Sequence, residues 1–183
     1  MLSWLSFRAG RRKASELYGA LVTQSRQRPF YADLGVPDTP TGRTEMIVLH
    51  LALVLDRLAA EPTPDREAQR LLVEAFVTDL DDAMRELGVG DLSVPRKVKA
   101  AAGALYERVS RYREPLTAAS PAPLAAMLAQ TVLAQAPGAP ADAPDRLAAY
   151  ARASRAALAT HGTGEILAGR LRFPPVSDSP ANP

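Results

Sequence analysis

The sequence contains no cysteine and only two histidines, His50 and His161, among 183 residues. The absence of cysteine excludes disulfides, thiolate zinc sites, iron–sulfur clusters and cysteine nucleophiles. Two histidines far apart in the sequence argue against histidine-rich metal sites and histidine-based acid–base catalysis. The composition therefore predicts a protein that binds rather than an enzyme, and one that needs no cofactor.

A long apolar run and a large net charge are also missing. The longest apolar stretch, Met46 to Leu55, is interrupted by His50 and is much shorter than the roughly 20 residues that span a bilayer. The 22 basic and 20 acidic residues leave a net charge of only +2, so we expect no DNA partner. Nineteen of the basic residues are arginines, which suit bidentate contacts with carboxylates or phosphates.

Residues 1–11 are apolar first and basic afterwards. A signal peptide has the opposite order, with its charges before its apolar stretch. The order found here predicts contact with a membrane surface, through aromatic side chains at the interface and cations near anionic headgroups. The candidate residues are Trp4, Phe7, Arg11 and Arg12. The alternative is a frayed end or a half-turn packed on the core.

The chain shows the signature of an all-α protein. No hairpin dipeptide lies between alternating β-branched runs, and the dominant residues Ala, Leu, Arg and Glu favour helices. We predict a single-domain bundle of about six or seven helices, over residues 12–26, 41–60, 64–87, 94–115, 121–132, 143–160 and 163–169. The expected N-caps are Thr41, Thr63, Ser93 and Asp142.

Two features of these helices concern packing. The helix over residues 41–60 is apolar nearly all round, which predicts a central, buried position. Gly103 lies inside a helix, where glycine is less stable than alanine. A close approach of another helix would compensate for this loss of stability.

The loop after the first helix carries Phe30, Tyr31 and Leu34. Large apolar side chains are unusual in a solvated linker, so we expect this loop to dock on the core as a compact functional loop.

An acidic cluster on the third predicted helix suggests one kind of chemistry. Asp79 and Asp82 share a helix face and could bind magnesium and pyrophosphate, as in helical isoprenoid enzymes. Such folds need a second Asp-rich helix facing the first, and Asp56 is the only other helix-interior aspartate with a suitable position. The alternative is a solvated face on which Arg85 pairs locally.

Basic residues at both ends of the fourth predicted helix suggest another partner. Arg96 and Lys97 begin this helix, where positive charge opposes the helix dipole, and Arg108 lies near its end. This placement favours an acidic partner such as RNA, a lipid headgroup or an acidic protein surface. The ordinary explanation is pairing with Asp91 or with the acidic third helix.

Three stretches, read in order, resemble one family. They are Leu17–Val22 followed by Phe30–Thr39, then Gly42-Arg43-x-Glu45 with Leu49–Leu55, and finally Phe76–Asp91. Over residues 12–116 the chain resembles the ubiquinol–cytochrome c chaperone family, assembly factors of respiratory complex III. One departure is Tyr106-Glu107-Arg108, where the family tends to have Tyr-Gly-Arg.

The resemblance implies an all-helical, non-catalytic protein that aids the maturation of cytochrome b. Its expected partners are cytochrome b or another complex III subunit, and the ribosome, which mitochondrial relatives contact. The chain looks like a bacterial member, cytoplasmic or peripheral to the cytoplasmic face of the inner membrane. The candidate partner-binding residues are Phe30, Tyr31, Asp38, Arg43, Asp79, Asp82, Arg85, Asp91, Arg96, Lys97 and Arg108. Two alternatives stay open: an RNA- or ribosome-binding helical module, and a magnesium-dependent helical enzyme acting on an isoprenoid or phosphorylated ligand.

The expected organisation has four parts. An apolar–basic segment covers residues 1–11, and the family-like helical module covers 12–116. An Ala-rich helical extension follows over 117–172, and a disordered tail over 173–183.

Overall fold

The computed structural model describes residues 2–86 and 94–176, with the side chains of 2–7, 84, 86, 94–102 and 104 outside that description. These ranges hold eight helices and no strand. The helices are α1 Leu2–Ser25, α2 Arg28–Ala32, α3 Pro40–Ala59, α4 Arg66–Glu86, α5 Val94–Thr117, α6 Ala122–Gln130, α7 Ala143–Ala159 and α8 Thr163–Leu167. The all-α prediction is confirmed, and α2 and α8 are short segments of five residues each beside six longer helices.

Helix α3 forms the centre of the bundle, as its apolar sequence predicts. Its buried residues cover all sides of the helix, because α1, α5 and α7 pack around it. None of the described helices is both long and apolar enough to cross a bilayer.

Two helices begin at residues other than those the sequence predicts. Thr39, not Thr41, caps α3: its hydroxyl accepts a hydrogen bond from the Gly42 N–H at 3.1 Å, and Pro40 occupies the first turn. Asp65, not Thr63, caps α4 by accepting from the Ala68 N–H at 2.9 Å. An aspartate carboxylate makes the stronger, charge-assisted cap.

The other two expected caps have different outcomes. Asp142 lies at the N-cap position of α7, but its side chain makes no capping hydrogen bond. Ser93 lies outside the described residues.

Helix α1 is longer than predicted, since it begins at Leu2 rather than near Arg12. It runs parallel to α4: a Cβ on Gly10 would lie 3.1 Å from Leu71, and further along both helices Tyr18 packs edge-on against Phe76. Residues 2–11 therefore continue the helix rather than forming a half-turn or a frayed end.

The aromatic loop docks on the core, as predicted. Part of it forms α2, and Phe30 and Leu34 are fully buried. Gly35 has a φ of 67°, and a Cβ there would lie 2.7 Å from the Cα of Ala139. The loop is therefore clamped between the core and the segment that joins α6 to α7.

The predicted extension shares one hydrophobic core with the rest of the chain. Helices α6 and α7 pack together, and α7 packs on α3. Arg155 of α7 forms an ion pair with Asp56 of α3 at 2.8 Å, and Arg152 donates to the carbonyl oxygen of Ala118 at 2.6 Å, at the end of α5. Residues 117–172 are thus a structural part of the bundle.

Two further predictions are wrong. Residues 173–176 are ordered rather than disordered, since the Phe173 ring lies 5.2 Å from the His50 ring and Val176 is buried. The remaining part of the predicted tail, 177–183, lies outside the described residues. Gly103 marks no close helix approach, because a Cβ there would meet nothing within 4 Å.

Candidate functional site

A buried tyrosine joins α1 to α4. The Tyr18 hydroxyl donates a hydrogen bond to Oδ2 of Asp79 at 2.7 Å. Burial, helped by the neighbouring carboxylate, raises the pKa of Tyr18 well above its ordinary value. Tyr18 therefore stays protonated at neutral pH and acts as a donor that holds Asp79 in place.

Two grooves meet at this hydrogen bond. The first, of about 450 Å³, lies between α1 and α4, with Arg11 and Arg12 on one wall and Asp79 and Asp82 on the other. It brings together four sequence-predicted residues. Arg11 and Arg12 are candidates for membrane contact, and Asp79 and Asp82 are candidates for partner binding. A groove with walls of opposite charge suits a polar partner that carries both signs of charge.

The second groove, of about 330 Å³, lies between α1, α3 and α4. It shares Tyr18 and Asp79 with the first and adds Arg26 and Arg43. The guanidinium of Arg43 pairs with Asp38 at 2.7 Å, and both side chains are exposed. We call the two together the Tyr18 grooves. No pattern in the sequence singles out Tyr18, because its helical spacing indicates only an inward-facing residue.

A third groove, of about 170 Å³, is mainly apolar and lies between α3, α4 and α5. We call it the Tyr106 groove; among its lining residues are Ala52, Leu55, Ala59, Gln69, Val109, Tyr112 and Leu116. Tyr106 at its edge is 46% exposed, the one large apolar side chain that is exposed in the described part of the chain. No pattern in the sequence reveals this groove, because Tyr106 lies beside the periodic apolar positions of α5 rather than on them.

The acidic residues do not form a metal cage. Among the described residues, no three His, Asp or Glu side chains come together to hold a metal ion. The helix that faces Asp79 is α1, which presents a tyrosine hydroxyl and arginines, and Asp56 is paired with Arg155. The arrangement therefore gives no support to a magnesium–pyrophosphate site.

Comparison with known proteins decides the family. A family profile described as "Ubiquinol-cytochrome C chaperone" matches residues 32–173. A crystal structure of the Cbp3 homolog from Brucella abortus is similar over 97% of this chain and 99% of that one, with 32% sequence identity and a TM-score of 0.79. The chain belongs to the ubiquinol–cytochrome c chaperone family. No curated protein sequence matches it significantly.

The family match confirms the resemblance and corrects its extent. The profile reaches residue 173, beyond the 12–116 that the sequence motifs indicate. This follows from the fold, since α6, α7 and α8 contribute to the same core as α3. The chain is thus a member of a family of complex III assembly chaperones, and its helical extension is part of the family's fold.

In this chaperone Phe30 is a core residue. Its ring packs edge-on against His50 and Tyr150, with centroid distances of 5.6 and 4.9 Å, and it has no exposed surface. Tyr31 is half-buried and donates to the carbonyl oxygen of Ser25 at 2.9 Å. Phe30 therefore presents no surface to a partner in this conformation, because its large apolar ring is more stable inside the bundle.

His50 is also a core residue, with no exposed surface. Its Nδ1 lies 2.7 Å from the carbonyl oxygen of Met46 and donates to it, so Nε2 accepts from the Tyr150 hydroxyl at 2.8 Å. Burial lowers the pKa of His50 to about 4 and raises that of Tyr150 to about 12. The histidine is neutral at pH 7 and links α3 to α7.

The remaining predicted residues are placed separately. Arg108 of α5 pairs with Glu45 of α3, which is buried. Arg85 pairs locally with Asp81 at 2.9 Å, as the alternative interpretation holds. Asp91 lies outside the described residues, as do the side chains of Trp4, Phe7, Arg96 and Lys97.

Proposed function

We propose that this chaperone binds immature cytochrome b during the assembly of complex III. The observation that carries the proposal is membership of the ubiquinol–cytochrome c chaperone family, supported by 32% identity to a Cbp3 homolog over nearly the whole chain. Binding of a client requires no catalytic group, in agreement with the absence of cysteine and with the neutral, buried state of His50.

The Tyr106 groove is the candidate contact for the client. A chaperone of a membrane protein needs an apolar surface that is open to solvent before the client arrives. Tyr106 offers such a surface together with a hydroxyl that tolerates water, and half-buried Val109 lies beside it, while Leu55 and Leu116, which are buried, also line the groove. The Tyr106 groove, rather than the aromatic loop, is therefore the candidate apolar surface for the client, because Phe30 of that loop is buried.

The Tyr18 grooves are the candidate contacts for polar parts of a protein partner. They display Asp79 and Asp82 opposite arginines of α1, with Arg43 at the end of the second groove. Charges of both signs around one edge favour specificity and a fast encounter more than tight binding.

Site-specific cross-linking tests the proposed client contact. A photoreactive phenylalanine analogue replaces Tyr106 in one variant and Ala122, an exposed residue of α6, in the matched control. We expect a covalent adduct with cytochrome b from position 106 and none from 122. Failure of cytochrome b to copurify with the chaperone would contradict the client, whereas copurification without an adduct at 106 would contradict only the groove.

Ribosome binding has a distinct signature. If Arg96 and Lys97 contact RNA, binding to isolated ribosomes weakens steeply with salt. Ribosome association that is absent or insensitive to salt would exclude the RNA-binding alternative while leaving the client proposal intact.

A further inference from the structure

The first half of α1 combines an apolar segment with a cationic one in a single continuous helix. Residues 2–7 include Leu2, Trp4, Leu5 and Phe7, and the next six residues hold four cations. The first acidic residue of the chain is Glu16. Residues 2–13 therefore consist of an apolar segment followed by a segment whose charged residues are all positive.

The four cations, Arg8, Arg11, Arg12 and Lys13, are all exposed. At 3.6 residues per turn, their positions spread over roughly 200° of the helix circumference. A set this broad can meet negative charge over a wide range of helix orientations, unlike a single charged stripe. Its partner must therefore offer an extended anionic surface rather than one carboxylate.

The cationic part of this segment lies at the start of α4. Ala9 and Gly10 lie beside Asp65 and Glu67 in a groove at the start of α4. Because α1 and α4 run parallel, the first residues of α1 lie at the same end of the bundle as the start of α4. Lys13 lines the same groove, and Arg12 pairs with Glu16 at 3.6 Å while both of these side chains stay exposed.

We propose that residues 2–13 of α1 dock the chaperone on a bilayer that contains anionic phospholipid. Residues 2–7 enter the interface, and the four cations bind the headgroups. Six helical residues extend about 9 Å along the helix axis, far less than the roughly 30 Å of the hydrocarbon core. This contact is independent of the proposed client.

The docked orientation would bring the Tyr106 groove close to the membrane. Ala68 borders the groove beside Gly10, and the next residue, Gln69, lines the Tyr106 groove. The same turn of α4 thus connects the two surfaces. A bilayer bound by α1 would lie near the end of the bundle at which an apolar client segment can be received.

The chain carries its own probe for this proposal, because Trp4 is its only tryptophan. The full-length protein is mixed with vesicles of phosphatidylcholine alone or with about 30% phosphatidylglycerol. We expect binding to the anionic vesicles to be much stronger and to decrease with salt, and we expect brominated lipids to quench Trp4 fluorescence. Absence of binding at low salt, or binding without quenching of Trp4, would overturn the proposal.

Two double variants test which charges act. Arg11→Glu with Arg12→Glu should weaken binding to the anionic vesicles at least about 30-fold, at about 1 kcal/mol per cation. The matched control, Arg26→Glu with Arg28→Glu, makes the same change of charge just after the other end of α1 and should alter binding less than about threefold. Equal losses in both variants would show attraction by overall charge and would contradict a site on residues 2–13.

The apolar half requires its own variant. Trp4→Ser with Phe7→Ser should remove the binding that persists at high salt, as measured by vesicle co-sedimentation, with helicity checked by circular dichroism. Unchanged salt-resistant binding would overturn insertion of residues 2–7. If R11E/R12E instead loses binding to ribosomes and keeps full vesicle binding, the surface belongs to nucleic acid and the proposal is wrong.

Discussion

The guanidinium of Arg57 donates hydrogen bonds to the carbonyl oxygens of both Leu158 and His161, at 3.2 and 2.9 Å. The last turn of α3 thereby holds the end of α7, more than a hundred residues away in the sequence. Arg57 also pairs with Glu61. The contact explains why the C-terminal helices belong to one structural unit with the motif-bearing helices.

Substitution of Arg57 should therefore cost more than loss of a surface charge. Arg57→Ala removes two hydrogen bonds from a charged donor, which is mostly buried, and leaves carbonyl oxygens unpaired. We expect the free energy of unfolding, measured with urea, to fall by about 2–4 kcal/mol. The matched control is Arg12→Ala, whose exposed pair with Glu16 predicts a change below about 0.5 kcal/mol. Equal effects of the two substitutions would contradict the role of Arg57.

Two glycines should respond to alanine with opposite signs. Gly35→Ala places a Cβ 2.7 Å from the Ala139 Cα at a positive φ, so we expect a loss of at least about 1–3 kcal/mol. Gly103→Ala meets no neighbouring atom and replaces an interior helix glycine, so we expect a gain of about 0.5–1 kcal/mol. Thermal unfolding of both variants provides the check, and effects of the same sign would contradict the clamp at Gly35.

Acid should destabilise the bundle through His50. Its pKa is about 4 in the folded chain against an ordinary value of 6.5, so the unfolded chain binds the proton more readily. The stabilisation is complete above pH 6.5 and is lost as the pH falls toward 4, by about 3 kcal/mol in all. Urea unfolding between pH 7.5 and 4.5 measures this loss. His50→Gln should be less stable at pH 7.5 but show a shallower decrease, and identical slopes would be evidence against a neutral buried His50.

Substitution of Tyr106 should weaken client binding while changing the stability of the chaperone little. Tyr106→Ser removes a half-exposed ring, so the free energy of unfolding should change by less than about 1 kcal/mol. Recovery of cytochrome b with the purified chaperone should nevertheless decrease severalfold. The control is Tyr31→Phe, which removes only the hydrogen bond to Ser25. A groove without a role in client binding would leave both variants with full recovery.

The sequence predicts the helical fold well because its dominant signals are local. Helix α3 is apolar on all sides, and the central position of this helix follows directly from that pattern. The docked loop is also predictable, since Phe30 and Leu34 are too apolar for a solvated linker. The sequence does not single out the caps at Thr39 and Asp65, because Thr41 and Thr63, each beside a proline, are equally plausible N-caps for the same helices.

The site depends on pairings that no local pattern contains. Asp79 is exposed in an acidic cluster, and only the parallel packing of α1 on α4 shows that Tyr18 holds it. Arg108 meets Glu45 across the bundle rather than its neighbours in sequence. Phe173 begins a proline-rich tail whose composition is typical of disorder, and its contact with His50 is visible only in three dimensions.

Deletion of the gene tests the central claim most directly. Reduced-minus-oxidised spectra of membranes measure cytochrome b, and ubiquinol–cytochrome c reductase activity measures assembled complex III. We expect both to fall strongly in the deletion strain, to recover with the wild-type gene and to recover poorly with Tyr106→Ser. Unchanged cytochrome b content and unchanged complex III activity in the deletion strain would contradict a function in complex III assembly.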